Sequence, residues 1–320
     1  MKKVLLCIMD GVGLRKNSLG NAYLNANTPT LDSLMKEYPH ISLEASGEHV
    51  GLPKGQMGNS EVGHSTIGSG RVIYQSLEKI NKSIEDHTFF SNKEILSAIS
   101  HAKENNSRLH LIGLLSDGGI HSHINHLFAL LDICKEQNFT NIYIHAITDG
   151  RDTAPDSGLK YIESLEEKLK ELGFGKIATL CGRYYMMDRD NNYDRVKLAY
   201  NMLVEGTAPK YETAALAWQA NQDKNITDEF IMPSLIEEKG LIKDNDAIIT
   251  FNFRPDRLRE LYSCLTNESF PSFERTILKN IKLVTMMPVA DTVICTNAFG
   301  YENLDNVLGT VIANHNLSQL

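Results

Sequence analysis

No apolar stretch in this sequence approaches the ~20 residues that cross a bilayer. There is no CxxC pair, no low-complexity tract and no short internal repeat. Nor is there a basic excess: 32 Lys and Arg against 40 Asp and Glu give a net charge of −8. These absences argue against a membrane span, a zinc ribbon, a disulfide frame and a solenoid. The acidic balance argues against a nucleic-acid surface and against docking on an anionic membrane. The five cysteines (Cys7, Cys134, Cys181, Cys264, Cys295) are odd in number and scattered, and read as reduced thiols of a cytoplasmic protein. Met1-Lys2-Lys3 and the apolar residues 4–9 superficially resemble a signal peptide. The run is short, ends in Asp10 and lacks a small-residue cleavage site, so that reading is set aside. An anionic small substrate remains compatible with the charge, but its site must gather arginine locally.

What is present is ordinary for a soluble globular chain, 42% hydrophobic and 22% charged, and 320 residues are enough for about two domains. Residues 4–9 form a continuous apolar run that reads as a buried strand ending at Asp10-Gly11-Val12-Gly13. A carboxylate at the carboxyl end of a buried strand sits where open α/β sheets keep their ligands, although an Asx-turn would account for it too. A helix is expected over 29–38, and 41–43 could begin a short strand. From about residue 76 apolar runs (109–115, 142–147, 177–181, 247–251) alternate with amphipathic helices (91–103, 124–136, 157–172, 193–204, 213–220). A further run covers 281–286, 288–298 could be a connection, and a last helix is expected from Leu304 to Ile312. Strand–helix alternation predicts an α/β fold with a mostly parallel sheet covered on both faces. Residues 1–75 plus 300–320 are expected to form one domain, with 76–299 inserted into it and the two chain crossings acting as a hinge.

Two kinds of feature carry chemistry. The first is Gly58-Asn59-Ser60-Glu61-Val62-Gly63-His64, which could place Ser60 at a helix N-terminus, where free N–H groups favour an anion. Ser60 could there take and hand on a phosphoryl group; a plain Ser/Asn helix cap is the alternative. The second is the set of polar segments that follow the apolar runs: SDGGIHSH (116–123), TDGRD (148–152), GRYYMMDRD (182–190) and NFRPDR (252–257). In a parallel sheet these ends share one edge, so Arg151, Arg183, Arg189, Arg254 and Arg257 can converge with His121 and Asp152. Guanidinium binds carboxylate and phosphate bidentately, which points to a small anion carrying both groups. The alternative is that each arginine pairs with its sequence neighbour: Arg151 with Asp152, Arg189 with Asp188 or Asp190, Arg257 with Asp256. His121 is a plausible substrate ligand or proton carrier within that cluster, while His123 and His126 could equally be helix-face residues.

Taken with Asp10-Gly11-Val12-Gly13 and GNSEVGH (58–64), these motifs make the chain resemble, over essentially its whole length, the 2,3-bisphosphoglycerate-independent phosphoglycerate mutases. That family belongs to the alkaline-phosphatase-like metalloenzymes. The resemblance implies interconversion of 3-phosphoglycerate and 2-phosphoglycerate in glycolysis and gluconeogenesis. It implies a phosphatase-like domain with two divalent metals, usually Mn2+, and an inserted phosphotransferase domain. By it Ser60 is the phosphorylated serine and a metal ligand, and Asp10 a ligand of the same metal. His121, Arg151, Asp152, Arg183, Arg189, Arg254 and Arg257 hold the substrate, and Asp152 could move the glycerate proton. A monomer without nucleic-acid, membrane or protein partners is expected. The family's chains run further and there carry most of the metal ligands and a substrate lysine. The chain is therefore expected to be a C-terminally truncated member with an incomplete phosphatase-like domain. The alternatives are a non-catalytic phosphoglycerate-binding fragment and a related metal-dependent phosphohydrolase.

Overall fold

The apolar runs after residue 108 pair into one sheet. The computed structural model describes residues 3–301 and 303–320. It places β1 (Leu109–Leu114), β2 (Ile142–Thr148), β3 (Lys176–Gly182), β4 (Ser234–Leu235), β5 (Ala247–Thr250), β6 (Lys282–Thr285) and β7 (Thr296–Asn297) in the order β4-β3-β2-β1-β5-β6-β7. Every pairing is parallel except β3 with β4. The long strands read as continuous apolar runs because both faces are covered. Leu109, Leu111, Ile144 and Ile249 point into one core with the helices Lys93–Glu104, Ile124–Glu136 and Gly158–Leu172. Ile112, Leu114, Ile147 and Ile248 point into the other with Tyr193–Tyr200 and Arg259–Thr266. From β1 the chain builds outward through β2 and β3, then returns to lay β5 against the other side of β1. The β1/β5 boundary is therefore the point where strand order reverses, and the crevice at its carboxyl end is the ligand position of an open α/β sheet.

This sheet lies within one of two compact units, residues 76–302; the other comprises 1–75 and 303–320. The second unit holds the helices Ala22–Asn25, Pro29–Glu37, Ser60–Ser69 and Leu308–Asn314 around a small core of Val50, Leu52 and Val62. Within it Arg71 ties the tail to the front of the chain, its guanidinium donating to the carbonyls of Asn303 (3.1 Å) and Asp305 (3.2 Å).

The structure corrects the reading of residues 4–9 and 41–43 as strands. No strand occurs in this unit among the described residues, and Val4 and Leu5 are 92% and 91% exposed. An apolar run becomes a buried strand only when neighbouring chain satisfies its ladder and covers its faces, and no described segment does so here. The last helix is also shorter than expected: Val307 is its N-cap and Leu304 lies outside it. The helix at 193 stops at Tyr200 and continues as a π-helical turn, Asn201–Glu205.

Candidate functional site

The β1, β2, β3 and β5 carboxyl ends bring most of the expected residues to one edge of the sheet. The loop after β1 is stitched to the segment after β5, because the backbone N–H groups of Phe253 (2.8 Å) and Arg254 (3.4 Å) donate to the His121 carbonyl. Arg183 opens the short helix that follows β3 and is 4% exposed. Its Nη1 donates to Asp149 Oδ1 (2.6 Å) and to Asp152 Oδ2 (2.8 Å). Burial opposes the Arg183 charge, but the two carboxylates outweigh it and hold its pKa above the usual value. His121 Nε2 lies 3.7 Å from the same Asp152 oxygen. Burial, aided by Arg183, pushes the His121 pKa down to about 4, so the ring is neutral at pH 7. Its Nδ1 is buried with no hydrogen-bond partner among the described residues.

The other arginines share two acids. Asp256 accepts from Arg189 Nη1 at 2.9 Å and lies 3.1 Å from Arg254 Nε. Burial works against its ionisation, yet Arg254 and Arg189 prevail and lower its pKa. Arg151 Nη1 reaches Glu229 Oε1 at 3.3 Å. Glu229 is there because Gly182 has no side chain: a Cβ at Gly182 would fall 2.4 Å from the Glu229 carbonyl oxygen. None of the three sequence-neighbour pairings forms among the described ion pairs; Arg151, Arg183 and Arg189 find partners in other loops, and Arg254 pairs with Asp256 of its own segment.

Arg257 differs from the rest. It lines an open cavity of about 310 Å³ together with Arg151, Arg183, Arg195, Glu229 and Phe230. Its Nε is buried with no hydrogen-bond partner among the described residues. Its pKa is lowered, by burial first and then by Arg189, with Arg183 and Arg151 adding to the effect against Asp256. A cation that lines a cavity beside other cations, with a buried Nε lacking a partner, is an arrangement that an anion relieves. Arg195, Asp149, Asp256 and Glu229 belong to this site and were not singled out from the sequence as its members. Asp149 and Asp256 sit inside the motifs that mark it. Arg195 lies on a helix, 3.1 Å from Asp188 and with its guanidinium 3.9 Å from the Tyr184 ring centre. Nothing local to Glu229 signals its role.

Asp10 and Ser60 meet in the other unit. Asn59 caps the helix Ser60–Ser69 by accepting from Val62 N–H, which puts Ser60 at the first helical position. Ser60 Oγ donates to Asp10 Oδ2 at 2.6 Å. The turn leading to Ser60 requires glycine at 58, where a Cβ would fall 1.8 Å from the Ala45 carbonyl oxygen. A carboxylate and a hydroxyl are the hard oxygen donors that a manganese-type ion takes, but such an ion prefers about six. No cluster of three or more His, Cys, Asp or Glu suited to a metal occurs among the described residues. The pair suits part of such a site and does not by itself make one.

Comparison with known proteins gives the family. The sequence profile of the family described as "BPG-independent PGAM N-terminus (iPGM_N)" matches residues 80–291. The chain belongs to the BPG-independent phosphoglycerate mutase family. It is 50% identical to the 2,3-bisphosphoglycerate-independent phosphoglycerate mutase of Clostridium perfringens (strain SM101 / Type A) over 100% of this chain and 63% of that protein. It is 47% identical to the enzyme of the same name from Listeria monocytogenes, over 99% of this chain and 63% of that protein. A solved structure of Leishmania mexicana phosphoglycerate mutase at low cobalt concentration is similar over 92% of this chain and 57% of its own, with 30% identity and a TM-score of 0.73. The chain thus spans 63% of the length of the curated mutases it matches.

Proposed function

We propose that the chain serves the interconversion of 3-phosphoglycerate and 2-phosphoglycerate, and that the arginine loops of residues 76–302 hold the substrate. The observation that carries this reading is Arg257, an underpaired guanidinium with a buried, unpartnered Nε, on a residue that lines a cavity with Arg151 and Arg183. On this reading Arg151, Arg183, Arg189, Arg254 and Arg257 take the phosphate and carboxylate oxygens. His121, neutral and with a free Nδ1, takes a hydroxyl. Ser60 accepts the phosphoryl group, at a helix N-terminus that favours the resulting charge. The arginines keep glycerate bound meanwhile, and Asp152 moves the proton of whichever hydroxyl then receives the group back. Keeping glycerate in place and water out separates a mutase from a phosphatase. Asp10 and Ser60 are the residues that would hold a divalent ion, Mn2+ by the family resemblance. Such an ion would make the Ser60 hydroxyl a better nucleophile and neutralise phosphoryl oxygens.

Two further readings follow from the Ser60–Asp10 pair standing outside any cluster of three or more His, Cys, Asp or Glu suited to a metal among the described residues. They are phosphoglycerate binding without turnover and metal-dependent phosphate release. A coupled 3-phosphoglycerate assay with added manganese, run beside phosphate and metal analysis, separates them. The proposal expects 2-phosphoglycerate without free phosphate once a full metal site is supplied, and binding without turnover by the 320-residue chain alone. Free phosphate without 2-phosphoglycerate would establish the hydrolase. Failure to bind at all would sink the proposal.

A further inference from the structure

One carboxylate at the site is almost wholly buried. Asp149 follows β2 and is 2% exposed. Its Oδ1 accepts from Arg183 Nη1 (2.6 Å), from Asp152 N–H (3.0 Å) and from Arg151 N–H (3.2 Å). Its Oδ2 accepts from Ser116 Oγ at 2.7 Å. Ser116 follows β1 and is itself buried. A single side chain thus joins the ends of β1, β2 and β3, and it sets both the Arg183 guanidinium and the backbone that carries Arg151 and Asp152.

The two carboxylates on Arg183 differ in what else they do. Asp152 is more exposed and also faces His121, while Asp149 is buried and takes four protein donors, from Ser116, Arg151, Asp152 and Arg183. Both take the same nitrogen, Nη1, which commits that donor to the protein and turns the opposite side of the guanidinium away from the pair. If Asp152 were the sole counter-charge of Arg183, trading its bonds for a ligand hydroxyl would leave a buried cation uncompensated, which is costly.

We propose that Asp149 is the positioning residue of this site: it fixes Arg183 and the Arg151–Asp152 backbone in the ligand-binding geometry and so frees Asp152 to exchange its bonds with the ligand. The inference rests on the reading that this cavity binds phosphoglycerate. Charge-assisted bonds of this kind predict that Asp149→Asn weakens binding about tenfold or more, although Asp149 touches no ligand.

A double-mutant cycle on the 320-residue chain tests it, with 3-phosphoglycerate binding measured by calorimetry and folding checked by thermal melting. Wild type, Asp149→Asn, Arg183→Gln and the double variant are compared. The expected result is non-additivity: in the Arg183→Gln background the Asp149 substitution costs severalfold less than in the wild type, the remainder being its hold on the Arg151–Asp152 backbone. A merely structural Asp149 would give losses that add, and additive losses would overturn the proposal. So would wild-type-like binding by Asp149→Asn. If Asp149→Asn does not fold, Ser116→Ala replaces it, with a loss of about threefold expected that shrinks in the Arg183→Gln background; an unchanged affinity, or a loss undiminished there, overturns the proposal. Absence of binding by the wild-type chain is a distinct outcome, which removes the functional reading and this inference together.

Discussion

At the scale of single residues, the site depends on which acids are spent and which are available. Asp256 and Glu229 are spent on Arg189, Arg254 and Arg151, and Asp149 on Arg183. Asp152 combines its ion pair to Arg183 with a neutral histidine, His121, whose Nε2 lies 3.7 Å away. That is the position for a group that shuttles a proton while the arginines stay fixed. Asp152→Asn keeps the size and most hydrogen bonds but cannot take a proton. In the complete mutase the substitution is expected to retain phosphoglycerate binding within a few-fold and lower kcat by about a hundredfold or more. Near-wild-type kcat in the coupled assay would rule that role out. The arginines themselves were legible in the sequence, because each stands just beyond an apolar run or in the loop it opens. Their partners were not. Arg189 meets Asp256 and Arg151 meets Glu229 across loops far apart in the chain, and only the folded sheet brings those loops together.

At the scale of elements, strands buried on both faces declare themselves as apolar runs, and β1, β2, β3, β5 and β6 were readable for that reason. The two-residue edges β4 and β7 carry too little pattern to be seen. The run at residues 4–9 failed for the opposite reason: its pattern is strong, but strand formation also depends on neighbours that the run itself does not specify. A polar chain hidden in the sheet was equally invisible. His110 Nε2 donates to Asp246 Oδ2 (3.0 Å), so its Nδ1 is left to accept from His145 Nε2 (2.9 Å), and His145 Nδ1 accepts from Thr179 Oγ1 (3.0 Å). This direction requires both rings to be neutral. Burial lowers the His110 pKa against the pull of Asp246, with Arg108 adding to the lowering. Burial and then His110 take His145 well below its usual value. His126, buried beside Asn81, is pushed down to about 3 by burial and then by His123.

All three histidines have folded-state pKa values below the unfolded value of 6.5. Between those values the unfolded chain binds more protons. The stability they contribute is therefore complete above pH 6.5 and is lost as the pH falls below it toward the folded-state values. Each contributes a slope of up to about 1.4 kcal/mol per pH unit within its own window. Urea unfolding of the sheet-containing unit is expected to shift to lower urea steadily from pH 7 to pH 5. A midpoint unchanged over that range would contradict the account of neutral, buried rings.

At the scale of the whole molecule, the two units carry different parts of the proposed chemistry. Residues 76–302 have a large two-sided core and the complete arginine edge. Among its described residues the unit of 1–75 and 303–320 buries three apolar side chains, Val50, Leu52 and Val62, and presents Val4, Leu5, Ile41 and Leu43 to solvent. It nevertheless holds Ser60 and Asp10 within 2.6 Å of one another. On the proposed reading substrate holding falls to the sheet-containing unit, and Arg257 is its most direct probe. The decisive measurement is a calorimetric titration of 3-phosphoglycerate into the 320-residue chain and into Arg257→Gln. The account predicts saturable one-site binding to the wild type that weakens at least about tenfold in the variant, with little change in the melting temperature. No saturable binding, or equal affinity in the two proteins, would contradict it.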